Sequence, residues 1–251
     1  MHLKSCLVLF SFLIFLSGCA ANGQFDTGKA LAIGAGALQA SMLDENSVKQ
    51  AAALSAKELD SQSQIAPASS PYAVRLVKIT NNLRSYDGLT LNFKVYMSTD
   101  VNAFAMADGT VRVHSALMDV MPDDQVLAVI GHEIGHVKLK HSYQQMKSAL
   151  LTNVAFDAIS SMGGTVGDMT SSQLGTLARA AVHARFSQSD ELESDAYAVR
   201  ALKRMGRDPY AMKRSIETLQ KGSDGGGGGF LSSHPSNQDR IDNIQKEISK
   251  L

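Results

Sequence analysis

The apolar positions of this chain recur with two different periods. From Ala40 to Leu59 good helix formers dominate, with Asp44 or Asn46 placed to cap a helix. Pro67 and Pro71 flank a break, after which Tyr72, Leu76, Ile79 and Leu83 recur at helical spacing. The period then shortens to two. Leu91, Phe93 and Val95 alternate with Asn92, Lys94 and Tyr96, a second run covers Val101 to Met106, and Val111 to His114 follows the turn pair Asp108-Gly109. Helical spacing resumes at Pro122-Asp123-Asp124, whose acids suit the positive end of a helix reaching about His141. Residues 149–167 are apolar yet carry Asp157 and three glycines, which predicts a packed helix rather than a membrane span. One long helix is expected from about Ser172 to Met205, closed by Gly206, with Asp208-Pro209 starting the next. Gly222 to Gly229 holds six glycines and reads as loop, and a last amphipathic helix from Ser236 carries Ile241, Ile244 and Ile248. The pattern predicts a helix-rich α+β domain with one small sheet.

The first residues follow a different logic. Lys4 precedes an apolar run from Leu7 to Leu16 broken only by Ser11, and Leu16-Ser17-Gly18-Cys19 follows at once. This resembles the bacterial lipobox, in which small residues let the signal peptidase reach the bond before the lipidated cysteine. Residues 1–18 are therefore expected to leave as a signal peptide, with Cys19 as the lipid anchor. Residues 19–40, rich in Gly and Ala, are expected to form a flexible tether, and 41–251 the folded domain. Cys6 departs with the signal, so the mature chain holds no cysteine pair. By resemblance to known lipoproteins, Ala20 in place of Asp directs the protein to the outer membrane, on its periplasmic face.

Bulk composition changes this picture little. The 251 residues are 44% hydrophobic and 19% charged, and Lys+Arg and Asp+Glu both number 24. A balanced surface gives no electrostatic reason to expect nucleic acid as a partner.

The chemistry lies in His132-Glu133-Ile134-Gly135-His136. Residues four apart on a helix differ by only about 40° in azimuth, so His132 and His136 point the same way and can hold one metal ion. Glu133 sits one step round, where it can take a proton from water at the open coordination position. A third ligand must come from elsewhere. Leu139 and Ser142 stand where a metzincin pattern needs Gly and His. Downstream, Glu191 and Asp195 are again four apart. Glu191 is assigned as the third zinc ligand, and Asp195 as the acceptor that fixes the tautomer of one zinc histidine. Glu193 points about 200° away from Glu191 and is expected in solvent.

HExxH followed by E-x-x-x-D on a later helix resembles the family of HtpX, the CAAX-prenyl endopeptidases and the BepA-like enzymes. Val101 to Met106 looks like the family's segment before the active-site helix, and His234-Pro235-Ser236 with Arg240 like its C-terminal HP-x(4)-R element. The resemblance implies a gluzincin-like zincin fold, one zinc ion per chain and proteolysis. It also implies that Asn102, Ala103, Phe104 and Ala105 form an edge strand that pairs with extended polypeptide substrate. Family members with transmembrane helices cut membrane substrates, but no such helix is readable in the mature chain here.

The remaining histidines divide. His141 lies about 140° round the helix from His136 and cannot join the same metal from that turn, so packing or capping is expected of it. His114 and His183 show no partner pattern. His234 follows the Gly-rich loop and has three readings: a removable fourth ligand, a donor to the tetrahedral oxyanion, or a residue that merely precedes a helix. Two functions compete. One is zinc endopeptidase action on misfolded or unassembled envelope proteins. The other is a chaperone or assembly factor for outer-membrane proteins, with envelope protein partners and the same site.

Overall fold

The computed structural model describes residues 43–152, 165–222 and 229–251. The expected signal peptide, Cys19, the tether, residues 153–164 of the expected helix over 149–167 and residues 223–228 of the Gly-rich loop lie outside them. Helix α1 (Glu45–Gln62) starts where Asp44 accepts the Ser47 N–H at 2.7 Å, and α2 (Pro71–Thr80) starts behind a Ser70 cap with Pro in its first turn. A two-residue hairpin, β1 (Ser85–Tyr86) and β2 (Leu89–Thr90), leads to the sheet.

That sheet has three strands: β3 (Asn92–Tyr96), β4 (Ala103–Ala105) and β5 (Thr110–His114), in the order β3-β5-β4. β3 runs parallel to β5 and β4 antiparallel to it. The β4–β5 turn is closed by Gly109 N–H to Met106 O and Met106 N–H to Thr110 O. Gly109 sits at φ +90, and a Cβ there would fall 2.1 Å from the Thr90 carbonyl oxygen, so the turn requires glycine.

Then follow α3 (Ser115–Val120), α4 (Asp123–Lys138), α5 (His141–Thr152), a short 3-10 turn (Val166–Asp168), α6 (Ser171–Val182), α7 (Gln188–Arg204), α8 (Tyr210–Gly222), α9 (Phe230–Ser233) and α10 (Gln238–Ile248). Every residue of α4 from Gln125 to Val137 is buried. Small residues four apart let it pack closely on α7. Gly131 faces Ala198, while a Cβ on Gly135 would stand 3.1 Å from Ser194 Cα and 3.2 Å from its carbonyl oxygen. This approach brings the acids of α7 to the histidines of α4.

The main core lies between the sheet, α2, α4, α7, α8 and α10. A second cluster joins α1, α5 and α6 to Tyr96, Phe104 and Met106. Buried Arg112 ties the two, holding Asp60 of α1 through Nε at 2.8 Å and Nη2 at 2.9 Å.

The expected helix-rich α+β architecture with a small sheet beside the motif helix is borne out. Two boundaries are corrected. The single helix expected over 172–205 is two, because Ser187 and Asp190 close a reciprocal capping box that starts α7 afresh. The motif helix ends at Lys138. Lys140 turns left-handed at φ 66, and His141 opens a separate helix.

Candidate metal centre

His132 and His136 project from α4 with their Nε2 atoms 3.0 Å apart. Glu191, from the first turn of α7, places Oε2 3.5 Å from His132 Nε2 and Oε1 3.4 Å from His136 Nε2. His234, just after α9, brings Nδ1 to 2.9 Å from Glu191 Oε1 and 3.3 Å from His132 Nε2. These four buried groups lie within 4.8 Å of one another, close enough to share one metal ion. Glu133 is buried beside them, its Oε1 3.5 Å from His234 Nε2 and without a hydrogen-bond partner.

The surroundings set the tautomers. His132 Nδ1 lies 2.8 Å from Asp195 Oδ1, so it carries the proton and leaves Nε2 as a lone pair facing the group. Arg240 is fully buried and clamps Asp195 through Nε and Nη2, each at 2.7 Å. Its Nη1 is 2.6 Å from Glu191 Oε2, a charge contact that lacks hydrogen-bond geometry, and it also donates to the carbonyls of His234 and Pro235. Two imidazole nitrogens 3.0 Å apart can share a proton or, as neutral rings, can both donate their lone pairs to one metal ion. With a carboxylate alongside, this donor set of nitrogen and oxygen fits zinc.

Charge states follow from burial and partners. Burial opposes ionisation of Glu191, but His132, His136 and His234 outweigh it and hold its carboxyl well below the usual range. Burial likewise opposes charge on Asp195, and Arg240 reverses the balance. Glu133 lacks a comparable cation partner, and burial pushes its pKa up, as a general base requires. Burial drives His136 well below the ordinary histidine value, keeping it a neutral donor.

Two aromatic rings close the site. Phe186, from the loop between α6 and α7, stacks on His136 at 3.8 Å and lies 5.1 Å from His234. Phe230 also stacks on His234, at 4.3 Å. Phe186 N–H donates to Ser233 O, joining its loop to the His234 segment. No periodic signal marks Phe186. The Ser187-x-x-Asp190 cap beside it was readable as a helix start.

The sheet completes the picture. β4 is an edge strand. Asn102 O and Met106 N–H pair with β5, so by antiparallel alternation the backbone groups of Ala103 and Ala105 face the open side. Three of them meet caps within the chain. Ala103 N–H meets Asn102 Oδ1, Ala105 O meets the Ser142 hydroxyl, and Ala105 N–H meets the Glu133 carboxylate.

Residues 79–248 match peptidase family M48. The chain belongs to this family. It is 42% identical to the metalloprotease LoiP of Escherichia coli K12 over 99% of this chain and 98% of that one. It is 38% identical to the metalloprotease YcaL of the same organism, over 98% and 97%. The β-barrel assembly-enhancing protease of Escherichia coli K12 is 32% identical over 58% of this chain and 31% of its own length. This M48 member is a metalloendopeptidase with zinc as its cofactor. The expected family, enzyme class and metal are borne out. Of the expected site residues, His132, Glu133, His136, Glu191, Asp195 and His234 converge, Asn102 to Ala105 lie at the adjoining edge, and Cys19 lies outside the described residues.

Proposed function

We propose that this M48 peptidase cleaves misfolded or unassembled cell-envelope proteins in extended form. His132, His136 and Glu191 hold the zinc, and Glu133 acts as general base. The observation that carries this is the convergence of those three ligands with a buried carboxylate whose Oε1 has no hydrogen-bond partner, one residue from the first histidine and directly beside an edge strand. When bound, zinc supplies a Lewis acid that acidifies water and polarises the scissile carbonyl. The residues do the rest. Glu133 accepts the proton from the attacking water and hands it to the leaving amine. Asp195 orients His132, and Arg240 keeps Asp195 anionic. Asn102 and Ser142 hold places along β4 that a substrate backbone takes when it adds as a further strand, which matches selection for unfolded chain over side-chain sequence. His234 serves as a removable fourth ligand. Its Nδ1 lies in the ligand group, and backbone and ring contacts hold it there rather than leaving it aimed outward as an oxyanion donor.

The N-terminal sequence pattern supports an envelope location for this activity. Residues 1–18 act as signal peptide and Cys19 as lipid anchor on the periplasmic face of the outer membrane, with the domain from about residue 41 reaching envelope proteins on its tether. The second reading is chaperone action on outer-membrane proteins in assembly, which the open edge of β4 beside the same site would support. Purified protein separates the two by its action on unfolded casein. Glu133→Gln keeps the zinc ligands and is expected to retain zinc while losing cleavage by a factor of about 10²–10⁴. Equal cleavage by the variant would refute Glu133 as base, and a wild type that binds casein without cutting it would favour the chaperone.

A further inference from the structure

The two zinc histidines are held in different ways. His132 rests on a carboxylate, as metal-bound histidines commonly do. His136 does not. Its Nδ1 lies 3.2 Å from Nδ1 of His141, a buried ring at the start of α5, with the ring planes at 68°. Since His136 Nε2 faces the ligand group, its proton sits on Nδ1, and His141 Nδ1 must accept it. The proton of His141 then occupies Nε2, which faces the carboxylates of Asp190 at 3.5 Å and Glu193 at 3.6 Å. Ser194 Oγ lies 3.3 Å from the same Nδ1, on the α7 side.

This arrangement depends on the break after α4. On a continuous helix His141 would point away from His136. The left-handed Lys140 instead turns the chain so that the first residue of the next helix falls behind the second histidine of the motif. We infer that His141 is a positioning residue for the metal, its Nδ1 accepting the Nδ1 proton of His136 while its Nε2 faces the acids of α7, so that zinc affinity depends on a histidine outside the ligand set. This rests on the ligands proposed above.

The test is zinc affinity by competition with a chromophoric chelator on the full purified protein, with thermal unfolding of the zinc-free forms alongside. His141→Ala removes the acceptor and is expected to weaken zinc binding 10- to 100-fold. His141→Asn puts an amide oxygen where Nδ1 stood and is expected to recover most of that loss. His136→Ala is the control and is expected to lose tight binding altogether. Wild-type affinity in His141→Ala, beside a His136→Ala that fails to bind, would overturn the role of His141 and leave the ligand set intact. Equal losses in the Ala and Asn variants, tracking their thermal stability, would reduce His141 to packing. Retained affinity in His136→Ala would overturn the ligand set and this inference together.

Discussion

At the scale of single residues, the molecule is organised by charges such as buried Asp195 and half-buried Asp60, each held by a buried arginine. The motif acids were legible in the sequence because four-residue spacing on a helix fixes a shared face wherever the helix lies. Their partners were less so. Arg240, His141 and Phe186 reach the site from three other elements, and only tertiary packing brings them there. The same holds for Asp60, which had no motif to mark it. Burial opposes its ionisation, but Arg112, Lys94 and Tyr96 outweigh it and bring its pKa down to about 2. A folded value below the unfolded one of about 3.9 means that Asp60 stabilises the fold fully above that unfolded value, with the contribution lost as pH falls through the folded one. Acid titration of stability is therefore expected to show a limb between about pH 4 and pH 2 that Asp60→Asn flattens. The variant should also be less stable by about 2 kcal/mol at neutral pH, since Arg112 is left short of an acceptor. An unchanged acid limb would remove Asp60 as its source.

At the scale of elements, the packing of α4 on α7 decides whether histidines and acids meet. The glycine inside the HEIGH motif is part of that packing rather than a spacer. A Cβ at Gly135 meets the Ser194 backbone at 3.1–3.2 Å, and a helix backbone has little room to retreat, whereas a Cβ at Gly131 finds Ala198 Cβ at an ordinary 3.6 Å. Both substitutions to alanine gain about 1 kcal/mol of helix propensity. Gly131→Ala is expected to stabilise, and Gly135→Ala to destabilise by about 1–2 kcal/mol net through overpacking, with weaker zinc binding. Chemical denaturation of the two variants checks the opposite signs, and a stabilising Gly135→Ala would show that α7 moves freely. Element type was largely readable from periodicity, while the break at residues 183–187 was not. Apolar residues recur on both sides of it, and the Ser187 capping box was the signal that outranked them.

For the whole molecule, the sequence carried the strands but not their order. Short strand-like runs mark β3, β4 and β5, with clear alternation in β3, yet say nothing about which neighbours which. That β5 lies central and β4 at the edge comes from the tight turn at Gly109 together with the parallel return of β3. The order matters for function, since it leaves β4 open beside Glu133. The matching of residues 79–248 to the M48 family covers this sheet and every site residue from His132 to Arg240, and leaves α1 outside. Asp60 on that helix still reaches Arg112 at the centre of the sheet, so the segment before the family match is built into the fold.

In the proposed site His132, His136 and Glu191 hold one zinc ion, with His234 as a fourth ligand. X-ray absorption at the zinc edge of the loaded protein addresses it directly. The expected signal is one zinc per chain, surrounded by nitrogen and oxygen at about 2.0–2.1 Å, with imidazole scattering from three histidines that drops to two in His234→Ala. Sulfur at about 2.3 Å, or a first sphere unchanged when His132 is replaced by alanine, would contradict the site and the peptidase mechanism built on it.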